Sequence, residues 1–190
     1  MRALTLSLAL LLILCGCGPK KTWHMSDVSG AVPDLSFSMQ RASDGAMVTG
    51  ESYRGKVVLV YFGYTHCPDV CPTTLSDLAD ALSKLGPEAA KVRVLFVSVD
   101  PERDTLELLK GYARSFGPQV DGLRGTENEI ADTARRYRVA YSVKKKPEYT
   151  VMHTSAVYVF DQNGKARLVT TDTRDPAGIA ADLKEIVAGG

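Results

Sequence analysis

Two cysteines, Cys67 and Cys71, stand in the run Tyr61-Phe-Gly-Tyr-Thr-His-Cys-Pro-Asp-Val-Cys-Pro72, behind a strongly apolar stretch and ahead of an amphipathic one. A dithiol at such a junction has two chemical uses, thiol–disulfide exchange or the binding of a soft metal. Three intervening residues allow a tight turn that brings the sulfurs together for either purpose. Redox pairs are usually separated by two residues, so the longer spacing shifts weight toward a metal. A plain structural disulfide is the alternative for an exported protein.

The chain begins like an exported one. Met1-Arg2 supplies a short positive region, and Ala3 to Leu14 is apolar apart from Thr5 and Ser7. That core suits a signal peptide and is short for a membrane-spanning helix. It ends in Leu14-Cys-Gly-Cys17, which resembles the lipobox of bacterial lipoproteins, with residues 1–16 as the signal peptide and Cys17 as the lipidated residue. Of the four cysteines, Cys15 then leaves with the signal and Cys17 carries lipid, so Cys67 and Cys71 have each other, a metal or a partner. The expected location is a lipid anchor in the cell membrane, with the domain on the extracytoplasmic (periplasmic) side. Loss of residues 1–16 removes Arg2 alone among charged residues, turning 23 basic against 22 acidic side chains into an even balance. No basic field remains to hold nucleic acid, and attachment to a membrane falls to acyl chains.

The elements that must position the dithiol follow from periodicity. Residues 17–32 read as a tether, and residues 33–190 as one domain. Leu35 to Met39 and Ala46 to Thr49 flank Ser43-Asp-Gly45, a hairpin signal. Val57 to Phe62 and Val92 to Val99 are continuous apolar runs of strand length, expected as buried strands. A helix is expected to begin at Pro72, where proline costs nothing, with Leu75, Leu78, Ala79, Leu82 and Leu85 on one face. Asp104-Thr-Leu-Glu107 looks like a capping box for a helix to about Phe116, and another helix carries Ile130, Ala134 and Tyr137. Thr154 to Phe160 and Ala166 to Thr170 flank the turn Asp161-Gln-Asn-Gly164, and a last helix spans Pro176 to Val187. This order gives an α/β fold of the thioredoxin-like kind, a central mixed sheet flanked by helices with an N-terminal β-hairpin.

A metal needs a further donor, and the chain has three histidines. His24 lies in the expected tether and reads as solvated. His66, beside Cys67, is expected to tune thiolate charge rather than to ligate. His153 closes the stretch Lys144 to Met152 and opens the expected strand Thr154 to Phe160, where a thioredoxin-like sheet abuts the cysteine turn. It is the candidate third ligand, against the alternative of a packed or capping histidine. Thioredoxin-like oxidoreductases generally carry a proline immediately before this strand; His153 in its place argues against general disulfide exchange. Asp69 and the run Lys144 to Lys146 read as solvated, and Asp100 as a loop cap or a residue near the site.

The cysteine run Tyr61 to Leu75, the segment Ser98-Val-Asp-Pro-Glu-Arg-Asp-Thr105 and a histidine opening a late strand together resemble the Sco/SenC family over roughly residues 33 to 188. The resemblance implies that Cys67, Cys71 and His153 bind copper, as Cu(I) or Cu(II). It implies a metallochaperone serving the dinuclear copper site of cytochrome c oxidase subunit II, with no small substrate to turn over. A membrane-tethered thiol–disulfide reductase using Cys67 and Cys71 is the rival; a peroxidase-like relative and a redox or copper sensor are further alternatives. A reduced dithiol in an oxidising compartment requires a partner thiol reductase, and loading requires a copper donor protein. Family members often carry an acid before the histidine. Here that residue is Met152, expected in core packing rather than near the metal.

Overall fold

Seven consecutive buried residues, Val57–Gly63, form the central strand, and a strand apolar on both faces must be covered on both. The computed structural model describes residues 22–189. The expected signal peptide, Cys17 and the start of the tether lie outside the described residues. In chain order the elements are β1 (Ser26–Asp27), β2 (Ser38–Arg41), β3 (Met47–Thr49), β4 (Val57–Gly63), α1 (Val70–Lys84), β5 (Val92–Ser98), α2 (Leu106–Arg114), β6 (Val120–Arg124), α3 (Glu127–Arg136), β7 (Tyr141–Lys144), β8 (Thr150–His153), β9 (Val157–Phe160), β10 (Ala166–Thr170) and α4 (Pro176–Ala188). Eight strands make one sheet in the order β1-β10-β9-β4-β5-β6-β2-β3, while β7 and β8 form a separate ribbon. β4, β5 and β6 run parallel, and β9 and β2 join them antiparallel on either side. This is the expected thioredoxin-like mixed sheet with its N-terminal hairpin β2–β3.

Alternation along β4 divides the core. Val57, Leu59 and Tyr61 face Leu75, Leu78 and Leu82 of α1 and Leu183 of α4, whereas Val58, Val60 and Phe62 face Ile130, Ala134 and Tyr137 of α3 and its end. Each such leucine contributes about 1.5–3 kcal/mol when fully buried. Burial on α1 falls on Ala81 in place of the expected Ala79.

Three expectations are corrected. α1 begins at Val70, not Pro72, so Cys71 lies inside its first turn; there the N–H groups lack helical partners, and Pro72 breaks nothing. Asp104 does not cap α2. Thr105 does, accepting a bond from Leu108 N–H at 3.2 Å, and Asp104 is fully buried elsewhere. His153 ends β8 rather than opening the next strand, which starts at Val157.

Within the span expected as a tether, residues 24–28 are docked on the domain. β1 pairs with β10, and Met25 is buried. The buried Asp182 carboxylate of α4 accepts the His24 and Met25 N–H groups at 3.0 and 2.8 Å, and His24 Nδ1 lies 3.1 Å from it, so His24 is not simply solvated. Asp182→Ala should leave these donors unpaired and cost about 1–3 kcal/mol. Denaturant unfolding measures the loss, and limited proteolysis should show a new cleavage between residues 22 and 33.

Candidate metal centre

Gly63 ends β4 where the chain must let a sulfur pass. A Cβ there would lie 2.9 Å from Cys71 Sγ and 2.5 Å from the Phe96 ring, so only glycine fits. The chain turns through Tyr64 to Asp69 and enters α1. Cys71 has no solvent exposure, and Cys67 is 8% exposed. Cys67 Sγ accepts the Cys71 backbone N–H at 3.4 Å, one of the unpaired donors of the helix N-terminus.

His153 reaches this turn from the β7–β8 ribbon. Its Nε2 lies 3.1 Å from Cys71 Sγ, and its Nδ1 lies 3.1 Å from the Thr154 carbonyl oxygen. A carbonyl only accepts, so Nδ1 carries the proton and Nε2 presents its lone pair to the sulfur. The ring is held edge-on by Tyr61 and Tyr64, each with centroids 5.9 Å away. Cys67, Cys71 and His153 thus converge, with their donor atoms within 4.8 Å of one another. Three donors spread evenly about one ion at about 2.0–2.3 Å stand about 3.5–4.0 Å apart, so a movement of about an ångström or less suffices. Two thiolates and an imidazole form a soft, three-donor set.

The two thiols differ. Burial pushes Cys71 up to about 12, and its proton can be donated to His153 Nε2. Burial also acts on Cys67, but bonds from the Asp69 and Cys71 N–H groups outweigh it and hold that thiol below its ordinary value of 9.0. Burial lowers His153, favouring the neutral ring that a metal needs.

Two acids in the loop after β5 tie the halves together. Asp104 accepts Thr65 N–H at 3.0 Å and the Thr65 and Ser98 hydroxyls at 2.6 Å each, fixing the cysteine turn. His66 Nδ1 faces Thr65 Oγ1 at 3.1 Å and Asp104 at 3.6 Å, so it buttresses this turn and is not among the three clustered donors. Asp100, nearly fully buried, pairs with Arg103 and accepts the Tyr149 hydroxyl at 2.5 Å. The Arg103 guanidinium also lies 3.9 Å over the Tyr149 ring. Tyr149 belongs to the loop joining β7 and β8, so Asp100 anchors the ribbon that carries His153. Lys145 reinforces it through Glu102 and Glu127, rather than standing free. Asp69 remains exposed, as expected. Met152 is 67% exposed, on the ribbon face opposite His153, and so neither packs in the core nor approaches the sulfurs. The ribbon is hard to read in the sequence because its strands are four residues long with one polar face; the alternation Tyr141-Ser-Val-Lys144 is its one signal.

A family model described as SCO1/SenC matches residues 34–188. The chain belongs to the SCO1/SenC family. It is 43% identical over 117 residues to the mitochondrial protein SCO2 homolog of Bos taurus, covering 59% of this chain and 44% of that one. The chain spans less than half the length of such mitochondrial relatives. The structure of Bradyrhizobium japonicum ScoI with copper bound superposes with a TM-score of 0.73 at 40% identity, covering 80% of this chain and 98% of that one. BsSco, described with a disulfide switch as a member of the Sco family of cytochrome c oxidase assembly proteins, superposes with a TM-score of 0.65 at 29% identity, covering 82% and 95%.

The Asp100 anchor has a measurable consequence. Tyr149→Phe removes a bond to a charged acceptor at a half-buried position, worth about 1–2 kcal/mol of ribbon docking. Amide hydrogen exchange in residues 141–153 should accelerate roughly five- to thirty-fold, while β4 and α1 stay protected.

Proposed function

We propose that this SCO1/SenC protein is a copper-binding assembly factor for cytochrome c oxidase, taking one copper ion as cargo on Cys67, Cys71 and His153. The observation that carries the reading is the convergence of two buried thiols and a correctly oriented imidazole on one point. The copper-bound relative and the assembly role given for BsSco support it. The destination is the dinuclear copper site of subunit II, and the copper comes from a donor protein. Lipid on Cys17 holds the domain at the extracytoplasmic face of the membrane; among the described residues no helix is long and apolar enough to cross one. A partner reductase keeps the dithiol open.

The chain's own residues prepare the site. β4 and α1 hold the sulfurs apart from water, the ribbon brings His153 over them, and Thr154 fixes its tautomer. Bound copper would supply the ion to be transferred. Cys71 must give up its proton first. Near neutral pH each displaced proton makes the affinity rise about tenfold per pH unit. Cys71 gives one, Cys67 up to one more, and the neutral His153 none. Anaerobic copper titrations of the reduced protein should therefore tighten between about 10- and 100-fold per unit from pH 6 to pH 8 and weaken in acid. No pH dependence, or no binding at micromolar copper, would count decisively against the reading.

A second reading is favoured by the unequal thiols: a lowered, slightly exposed Cys67 beside a raised, buried Cys71 suits a thiol–disulfide reductase. His153→Ala separates the two. It should abolish tight copper binding, measured by competition with a chelator, and leave dithiol exchange with a model disulfide nearly intact. Loss of exchange with copper binding retained would reverse the assignment.

A further inference from the structure

Among the described residues, three buried side-chain atoms lack a hydrogen-bond partner: Tyr61 Oη, Tyr112 Oη and Gln162 Oε1. An unpaired buried hydroxyl costs about 1–3 kcal/mol, which phenylalanine would avoid in the same space. The unpaired oxygen of Gln162 accompanies a structural role, since its amide nitrogen donates to the Ile186 and Val187 carbonyls at 3.3 and 3.0 Å. Tyr61 has no such account. It is fully buried, lies on the face of β4 that carries Gly63, and packs in the cluster of Cys71 and Leu75. Its ring meets the His153 ring edge-on at 5.9 Å. The polar groups beside its hydroxyl belong to Cys71 and Thr74. While Cys71 is a thiol, its neutral sulfur is a weak acceptor. A thiolate in the same dry pocket is a strong one.

We propose that Tyr61 is a positioning residue of the metal centre, its phenol O–H donating a hydrogen bond to the Cys71 sulfur when that sulfur is a metal-bound thiolate. The proposal rests on the copper-binding reading and specifies how one of its ligands is tuned. A hydrogen bond to a ligand sulfur draws electron density from it, favours the reduced ion and raises the energy of thiolate-to-Cu(II) charge transfer. Tyr112 provides the comparison. Its phenol is also unpaired and feels the two cysteines through space alone, with no hydrogen bond to either, while its ring packs on Phe96 and Phe116.

The test uses Tyr61→Phe and Tyr112→Phe in the full chain, with thermal unfolding before and after metal loading, Cu(II) absorption spectra and Cu(I) competition. For Tyr61→Phe the metal-free melting temperature should hold or rise, because an unpaired hydroxyl has been removed. The thiolate–Cu(II) band should move to longer wavelength, and Cu(I) should bind about tenfold more weakly. Tyr112→Phe should leave the band in place. An unshifted or oppositely shifted band in Tyr61→Phe, beside a normal wild-type spectrum, overturns the proposal and leaves the copper reading standing. Equal shifts in both variants overturn it as well, since a general change in the pocket would then be responsible. A wild-type protein with no thiolate–Cu(II) band removes the copper reading itself.

Discussion

Two carboxylates four residues apart, Asp100 and Asp104, join the halves of the site. A buried charge without partners is intolerable, so each acid organises whatever surrounds it. Asp104 gathers Thr65 and Ser98 and thereby sets the cysteine turn at the end of β4. Asp100 gathers Arg103 and Tyr149 and thereby sets the ribbon. Arg124 stitches the loop between them by donating to the carbonyl oxygens of Pro101 and Asp104 at 2.7 and 3.1 Å. One short loop thus braces both the turn that carries the sulfurs and the ribbon that carries His153.

The halves are held with different firmness. The cysteine turn is continuous with a fully buried strand and a helix of 15 residues. The ribbon has two strands of four residues each, and an isolated hairpin of that size is marginal in water. Its place is kept by the Asp100 and Lys145 contacts, by Val151 in the core, and by a clasp at its base, where Thr154 N–H donates to Ala140 O at 2.9 Å and Ala140 N–H to Thr154 Oγ1 at 2.9 Å. The metal centre thus has one fixed wall and one wall held largely by polar contacts.

What could be read in the sequence follows the range of the interactions. β4, β5 and the apolar face of α1 are legible because a continuous apolar run of strand length, or one of 3.6-residue period, is stable only when buried as a strand or a one-faced helix. The cysteine pair is legible from its spacing, and His153 from its place late in the chain. Asp104 is misleading because Asp-x-x-Glu looks like a local cap, whereas its true partner Thr65 lies 39 residues away. Docking of residues 24 and 25 is hidden for the same reason, their acceptor Asp182 being 157–158 residues distant. Tyr61 looks like one more apolar residue in a strand, and only the burial of its hydroxyl sets it apart.

Burial decides which ions this pocket can take. Burial raises the Cys71 thiol from its ordinary 9.0 to about 12, so an ion must displace a firmly held proton to reach that ligand. A hard cation, which prefers oxygen and keeps its water, gains too little from sulfur to meet that cost. A soft or borderline ion gains far more, because its bond to a thiolate is the stronger one. The dry wall of Leu75, Phe96 and Tyr61 therefore acts before any ligand does. It keeps the Cys71 thiol protonated, so that this ligand yields only to an ion whose bond to sulfur outweighs that of the proton it displaces.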